Sequence, residues 1–306
     1  MNLFESYLKR LVNETVKEFL SEKRLITFDN RVYPKFGWCV ILAGGGGSGK
    51  GYINSHNLPI DGKVINVDDF KKLYARLKKV EYNSHNTEDV ARLHKMVSQA
   101  DIKGMYTDNI FNPEAHNTER LPNVIFDMTG RDPEHNVTYI ARYAKEMGYK
   151  TCVVWAVANR HEALLRNLRR SRTVPDNIIH SIHNNLATNM PPFLESQLAV
   201  DYLDDAWIIF SSADNLTQSD LSGDSAKDMA VHLDKSSNGF IISNDTFARI
   251  NKYVGKLEKN PLHPETYLSS KEIVDKYGTP QIDKNGNQNG YEFDRSQFNK
   301  DSNFYR

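Results

Sequence analysis

Residues 40–53 read Val-Ile-Leu-Ala-Gly-Gly-Gly-Gly-Ser-Gly-Lys-Gly-Tyr-Ile, and no other run constrains the fold as strongly. The apolar stretch Trp38–Ala43 has the length of a strand, and it breaks into the glycine loop Gly44–Gly49, followed at once by Lys50. Strand, glycine loop and helix start, in that order, describe a phosphate-binding loop. The glycines let successive N–H groups converge on an anion, the helix start adds the positive end of its dipole, and the Lys ammonium reaches the outer phosphates. Gly44, Gly45, Gly46, Gly47, Ser48, Gly49, Lys50, Gly51 and Tyr52 are therefore candidate nucleotide-binding residues. Gly-Gly-Gly-Gly-Ser is also linker composition, but a linker is not expected between a buried-type strand and the apolar pair Tyr52 and Ile53. Gly51 stands where a Ser or Thr hydroxyl commonly meets Mg²⁺, so metal binding through water or carboxylates is expected instead.

A chain of 306 residues suits one large domain, or a domain with an appendage. Basic and acidic residues balance at 39 each, so bulk charge does not argue for nucleic acid or an anionic membrane. Cys39 and Cys152 each sit inside an apolar run and read as small core residues, which suits a reducing cytoplasm. Met1–Leu20 reads as an amphipathic helix with no apolar signal core, and no run approaches the ~20 apolar residues of a membrane span. A soluble, cytoplasmic protein is expected. The histidines are scattered without zinc-ligand spacing, and His180 and His183, on a polar helix, read as solvated.

Five β-rich runs follow the N-terminal segment: Trp38–Ala43, Val64–Val67, Val124–Phe126, Thr151–Val157 and Ala206–Phe210. Helix-period segments separate them, at Asp69–Lys79 with Thr87–Ala100, Pro133–Met147, His161–Arg170, Pro175–Leu186 and Phe193–Leu203. The alternation predicts a three-layer α/β fold around a five-stranded parallel sheet, with ligands bound at the carboxyl ends of the strands. After Phe210 the chain turns polar, with a strand-helix piece at Phe240–Leu257 and a loop-like or disordered stretch at Gly278–Arg306. The expected division is a helical segment over 1–35, a nucleotide-binding domain over 36–211 and a partly irregular polar extension over 212–306.

The residues just after the strands are then the ones to inspect. The second strand ends in Asn66-Val67-Asp68-Asp69-Phe70, which sets a carboxylate beside the glycine loop, able to take a proton from an attacking hydroxyl. Either Asp can instead cap the next helix, and with two of them one can cap while the other, Asp68, does chemistry. The third strand ends in Phe126-Asp127, where the carboxylate of Asp127 would hold Mg²⁺ through water, with Thr129 and Arg131 on the loop facing the same cleft. Arg166, Arg169, Arg170 and Arg172 crowd one segment after the fourth strand. Guanidinium forks neutralise charge on transferring phosphoryl oxygens, and Arg166 and Arg170, four apart, are expected to share a helix face over the site. The alternative for this segment is a solvated basic face.

These residues resemble the P-loop kinases related to zeta toxins and phage polynucleotide 5′-hydroxyl kinases. The likeness spans residues 36–210 and rests on four motifs: Gly47-Ser48-Gly49-Lys50, Asn66-Val67-Asp68-Asp69-Phe70, Asp127-Met128-Thr129-Gly130-Arg131-Asp132-Pro133-Glu134, and the arginine segment followed by Val174-Pro175. The resemblance implies an ATP-dependent (or GTP-dependent) phosphotransferase using Mg²⁺, with Asp68 as the base and Arg166 and Arg170 as lid arginines. It implies as acceptor an amino-sugar nucleotide, a nucleic-acid 5′ end or a hydroxymethylated base in DNA. A non-catalytic nucleotide-binding scaffold or switch protein is the rival reading, motivated by Gly51, Tyr52 and the polar tail.

For the acceptor, the segment Tyr74–Leu121 is far longer than the ~10–15 residues a bare crossover helix needs. Lying beside Asp68, with Tyr82, Asn83, His85, Asn86, Tyr106, Asn109 and Asn112, it suits hydrogen bonding to a sugar or base. A small nucleotide-linked acceptor is favoured over a polynucleotide, although Lys71, Lys72, Arg76 and Lys78 could form a local basic track. No membrane partner is expected, and nothing in the sequence names a protein partner.

Overall fold

The computed structural model describes residues 26–28, 31–33, 37–54, 62–80, 87–99, 123–158, 160–170, 174–211, 230–254, 270–284, 286 and 288–293. Strands β1 (Ile26–Phe28) and β2 (Arg31–Tyr33) pair as an antiparallel hairpin inside the segment expected to be helical; the helix expected over Met1–Leu20 lies outside the described residues.

The rest is organised by one sheet in the order β4-β5-β3-β6-β7-β8. Its strands are β3 (Trp38–Gly44), β4 (Lys63–Asn66), β5 (Val124–Met128), β6 (Lys150–Ala158), β7 (Asp205–Ser211) and β8 (Ala230–His232). The five strands expected from the sequence are parallel neighbours, and β8 adds a sixth, antiparallel to β7. The five-stranded expectation is corrected to six. A three-residue strand carries no readable period. It is fixed by distant partners: the Leu233 amide donates to Ala206 O at 3.0 Å, and His232 Nε2 lies 2.5 Å from Asp205 Oδ1.

Side chains alternate across a strand, and both faces of β3 are apolar because both are buried. Cys39, Ile41 and Ala43 join Val153, Trp155, Ala206, Ile208 and the surrounding helices in one cluster; Trp38, Val40 and Leu42 join Val154, Ala156, Trp207 and Ile53 in the other. Both cysteines are buried and free, and burial pushes both thiols up, Cys39 with Cys152.

The described helices are α1 (Lys50–Tyr52), α2 (Val67–Lys78), α3 (Thr87–Gln99), α4 (Pro133–Glu146), α5 (Arg160–Leu168), α6 (Asp176–Leu194), α7 (Gln197–Tyr202), α8 (Asn244–Val254) and α9 (Ser270–Tyr277). α6 runs through Pro191 and Pro192, so the expected helix beginning at Phe193 is instead the last turn of α6 followed by the short α7. Prolines so near the end of a helix remove only the final ladder bonds. Ser196 restarts the chain by accepting from the Ala199 amide. The strand-helix piece after Phe240 is present as β10 (Phe240–Ile241), paired with β9 (Asp234–Lys235), and α8. Where a loop-like or disordered stretch was expected, β11 (Gly278–Ile282) and β12 (Gln288–Phe293) form an antiparallel hairpin. The pair Asn285-Gly286 is a hairpin-turn signal that the sequence does carry; Gly286 has φ 82 and its amide donates to Asp283 O at 3.0 Å. Among the described residues no helix is long and apolar enough to cross a membrane.

Candidate active site

The carboxyl ends of the five parallel strands form one rim. β3 lies at its centre, with β5 and β4 on one side and β6 and β7 on the other. The chain changes direction across the sheet at this strand, and there an open α/β sheet leaves its crevice. The glycine loop leaves β3 at that point. Gly47 (φ 77) and Gly49 (φ 85) have left-handed backbones, which other residues adopt at a cost. Side-chain atoms there would also collide: one on Gly47 would run into the backbone of Ala163, and one on Gly49 would lie 2.8 Å from Ser211 Oγ. The loop is thus held between α5 and the end of β7.

Lys50 lies folded back into the loop, its side chain only 14% exposed, and not on a solvent-facing surface. Its ammonium donates to Gly44 O at 2.6 Å and Gly45 O at 3.3 Å, and stands 3.7 Å from Asp127 Oδ1. Burial lowers the Lys50 pKa; Asp127 opposes that shift and the Arg170 guanidinium adds to it. Asp127 is raised, again chiefly by burial, against the pull of Lys50 and of a hydrogen bond from Asn66. Ser48 is fully buried in the turn and its hydroxyl makes no hydrogen bond among the described residues. A buried cation with one carboxylate beside it, a buried hydroxyl without a partner and a glycine cradle together fit a phosphate group.

Asn66 links the adjacent strand ends. It is the N-cap of α2: its Oδ1 accepts from the Asp68 amide at 2.8 Å, while its Nδ2 donates to Asp127 Oδ2 at 2.8 Å. Neither aspartate caps the helix, which corrects the expectation that one of them would. Both lie in its first turn, where carboxylates complement the helix dipole. Asp68 is half exposed and accepts from Lys71 Nζ at 2.8 Å. Lys71 is buried, so it belongs to the site and not to a surface track. Asp69 is exposed, 3.6 Å from Lys72.

Arg166 reaches the loop directly. Its Nη1 donates to Gly47 O at 3.1 Å and to Ser211 Oγ at 2.8 Å, and its Nε to Glu162 Oε1 at 2.9 Å. α5 ends at Leu168, so Arg170 does not share a helix face with Arg166. The helical hydrogen bonding tightens there, the Arg170 amide donating to Asn167 O at 3.1 Å, and the exposed Arg170 follows in a bend. Arg170 meets the site through its charge on Lys50. Arg169 turns away to Phe293, and Arg172 lies outside the described residues.

His183 is the clearest correction. It is 3% exposed, its Nε2 lies 2.9 Å from Gly46 O, and its ring fills the space where a Gly45 side chain would start. The signal was in the helix period: Ile179, His183, Leu186, Ala187 and Met190 form the buried stripe of α6. Glu162 was recoverable from its spacing to Arg166, and Ser211 from its place at the carboxyl end of β7. On the other side of the cleft, burial lowers the His94 pKa, with the charges of Lys71 and Arg131 adding and Asp68 opposing, so α3 stands beside Asp68. Tyr82, Asn83, His85, Asn86, Tyr106, Asn109 and Asn112 lie outside the described residues.

A mostly parallel α/β sheet with a glycine loop and lysine at its central strand defines a P-loop nucleotide-binding protein. The zeta toxin family model matches residues 29–204, and the chain belongs to that family of P-loop kinases, whose general activity is ATP-dependent phosphotransfer. Among solved structures, the chain is similar to AvrRxo1-ORF1:AvrRxo1-ORF2 with sulphate ions (TM-score 0.54, 15% identity, 85% of this chain and 74% of that one). The AvrRxo1-ORF1:-ORF2 structure with ATP is also similar (TM-score 0.53, 15% identity, 85% and 74%). A structure from the PezAT toxin-antitoxin system of Streptococcus pneumoniae overlaps more loosely (TM-score 0.49, 13% identity, 81% and 94%). At these identities the likeness is one of fold. No curated protein sequence matches the chain.

Proposed function

We propose that the chain transfers the terminal phosphoryl group of ATP (or GTP) to a hydroxyl acceptor, with a small nucleotide-linked molecule favoured over a polynucleotide. One observation carries this reading: the continuous contact from Lys50 through Asp127 and Asn66 to Asp68, which joins the phosphate cradle on β3, across β5, to a carboxylate just beyond the end of β4. Gly44–Tyr52 bind the phosphates and Lys50 neutralises their outer charge. Asp127 would hold Mg²⁺ through water, and when bound the ion supplies charge neutralisation across the phosphates. Among the described residues no three His, Cys, Asp or Glu side chains gather to hold a metal directly, which suits an ion carried with the nucleotide.

In the step itself, the acceptor hydroxyl gives its proton to the Asp68 carboxylate and its oxygen attacks the terminal phosphorus. The bond from that phosphorus to the bridging oxygen breaks, and the nucleoside diphosphate leaves with the bridging oxygen. Arg166 and Arg170 stabilise the charge on the moving oxygens. Support for a small acceptor comes from the balanced charge of the chain and from Lys71, which is paired with Asp68 and not displayed on the surface.

The test is transfer of labelled terminal phosphate to nucleoside, sugar-nucleotide and oligonucleotide pools across a salt series. A small acceptor gives a shallow salt dependence; phosphate contacts along a polynucleotide give a steep one. Efficient, strongly salt-sensitive labelling of oligonucleotides alone would reverse the acceptor preference. ATP binding without consumption in any pool would favour the scaffold reading instead.

A further inference from the structure

The family match ends at residue 204, yet α9 and β12 pack against the helix that carries Arg166, and β11 pairs with β12. Phe293, at the end of β12, is 4% exposed and lies in one cluster with Ala163, Leu164, Leu165 and Leu168 of α5 and Ile179 of α6; Val274 and Tyr291 pack on the same cluster. The Arg169 guanidinium sits 6.0 Å from the Phe293 ring centre, and its Nη2 is 3.4 Å from Phe293 O. The backbone of Gly290 (φ 101) comes so near the end of α5 that a side chain there would meet Arg169 O at 3.1 Å and Leu168 O at 3.2 Å. The hairpin thus touches the arginine segment through a ring, a carbonyl and a bare backbone.

The base of that segment is closed separately. Asn167, buried, donates from Nδ2 to Val174 O at 2.8 Å and accepts at Oδ1 from the Val174 amide at 2.9 Å. With residues 167 and 174 tied together, a restraint on Arg169 is passed to its neighbour Arg170 and is not lost by sliding of the chain. The same last turn of α5 is anchored one residue earlier by Arg166 on Gly47 O and Ser211 Oγ.

We propose that α9, β11 and β12 form an intramolecular brace that positions the arginine segment over the nucleotide site, with Phe293 and Arg169 as the positioning residues. The proposal rests on the reading of Arg166 and Arg170 as lid arginines. The brace makes no contact with substrate; it keeps the guanidinium groups where charge develops, so its loss reduces affinity for the transition state and leaves ground-state nucleotide binding alone.

The experiment needs no acceptor. The full chain is titrated with ADP, and with ADP plus aluminium fluoride as a mimic of the transferring phosphoryl group, both in Mg²⁺ buffer. Phe293→Leu, which keeps the apolar contact but loses the ring face, and Phe293→Ala should bind the mimic about tenfold more weakly with unchanged ADP affinity, while Phe293→Tyr should match the wild type. Arg169→Gln should behave as Phe293→Leu, and the two together no worse than either. Arg170→Lys is the control for the underlying reading. If it weakens mimic binding while Phe293→Leu and Arg169→Gln do not, the brace is wrong and the lid stands. If Arg170→Lys has no effect, or the wild type binds the mimic no tighter than ADP, both fail. Should Phe293→Ala not fold, Phe293→Leu decides, and a change confined to its thermal midpoint also overturns the brace.

Discussion

Replacing Asn66 tests the contact that joins the two halves of the site. Asn66→Ala removes the N-cap of α2, which costs about 1 kcal/mol, and a hydrogen bond donated to the buried carboxylate of Asp127, worth about 1.5–3 kcal/mol. The Asp127 side chain is only 18% exposed, so solvent does little to replace the lost donor. The expected destabilisation is about 2–4 kcal/mol by urea unfolding at neutral pH. Asn66→Ser keeps the cap and should recover about 1 kcal/mol of it. The loss should depend on pH with a definite sign. Burial already raises the Asp127 pKa above its ordinary value, and the Asn66 bond opposes that shift. Without the bond it rises further. A group that holds its proton more tightly in the folded state loses stability as pH rises through its folded pKa. The penalty for Asn66→Ala should therefore be small in acid, where Asp127 is protonated, and grow towards neutrality. A double-mutant cycle with Asp127→Ala, which removes the acceptor, isolates the bond. A penalty below about 1 kcal/mol, flat across pH, with no coupling in the cycle would refute the contact and the reasoning built on it.

Lys50→Ala should leave a folded chain, as read by circular dichroism, with nucleotide affinity reduced at least about tenfold, since the ammonium neutralises phosphate charge; unchanged affinity would sink the cradle assignment. Asp68→Asn should keep ATP affinity and slow transfer by about 10²–10⁴, measured as labelled-phosphate transfer, whereas the exposed, non-capping Asp69→Asn should change stability by less than about 0.5 kcal/mol. Full transfer activity in Asp68→Asn removes the base from this strand end. Gly45→Ala should weaken nucleotide binding because its methyl group meets the His183 ring, and His183→Ala in the same chain should restore part of it by opening that space. No restoration would show that His183 does not set the path of the loop.

The sequence by itself determined the elements whose information is local. Glycine spacing between an apolar strand and Lys50 defines the loop without reference to any distant residue, and five strand-length apolar runs alternating with helical periods define a parallel sheet with the carboxyl ends of its strands at one rim. Asp68 and Asp127 follow from that rule, since each comes just after such a run. What the tertiary structure alone decided depends on which elements become neighbours. The order β4-β5-β3 brings Asn66 and Asp127 into register, and only then does the Asn66 amide bridge Asp127 to the start of α2. The packing of α6 against the loop puts His183 on Gly46, and the approach of β12 to α5 decides that Arg169 faces Phe293 while Arg170 is left beyond the helix end. β8 is too short, at three residues, to show a period, and the β11–β12 hairpin announces itself only by its Asn285-Gly286 turn, since its seating depends on Phe293 burying against α5 far away in the chain. Local pattern specifies elements through burial and backbone preference within a turn or a strand; the contacts between elements exist only once the chain has closed on itself, and the chemistry proposed for this site depends on them.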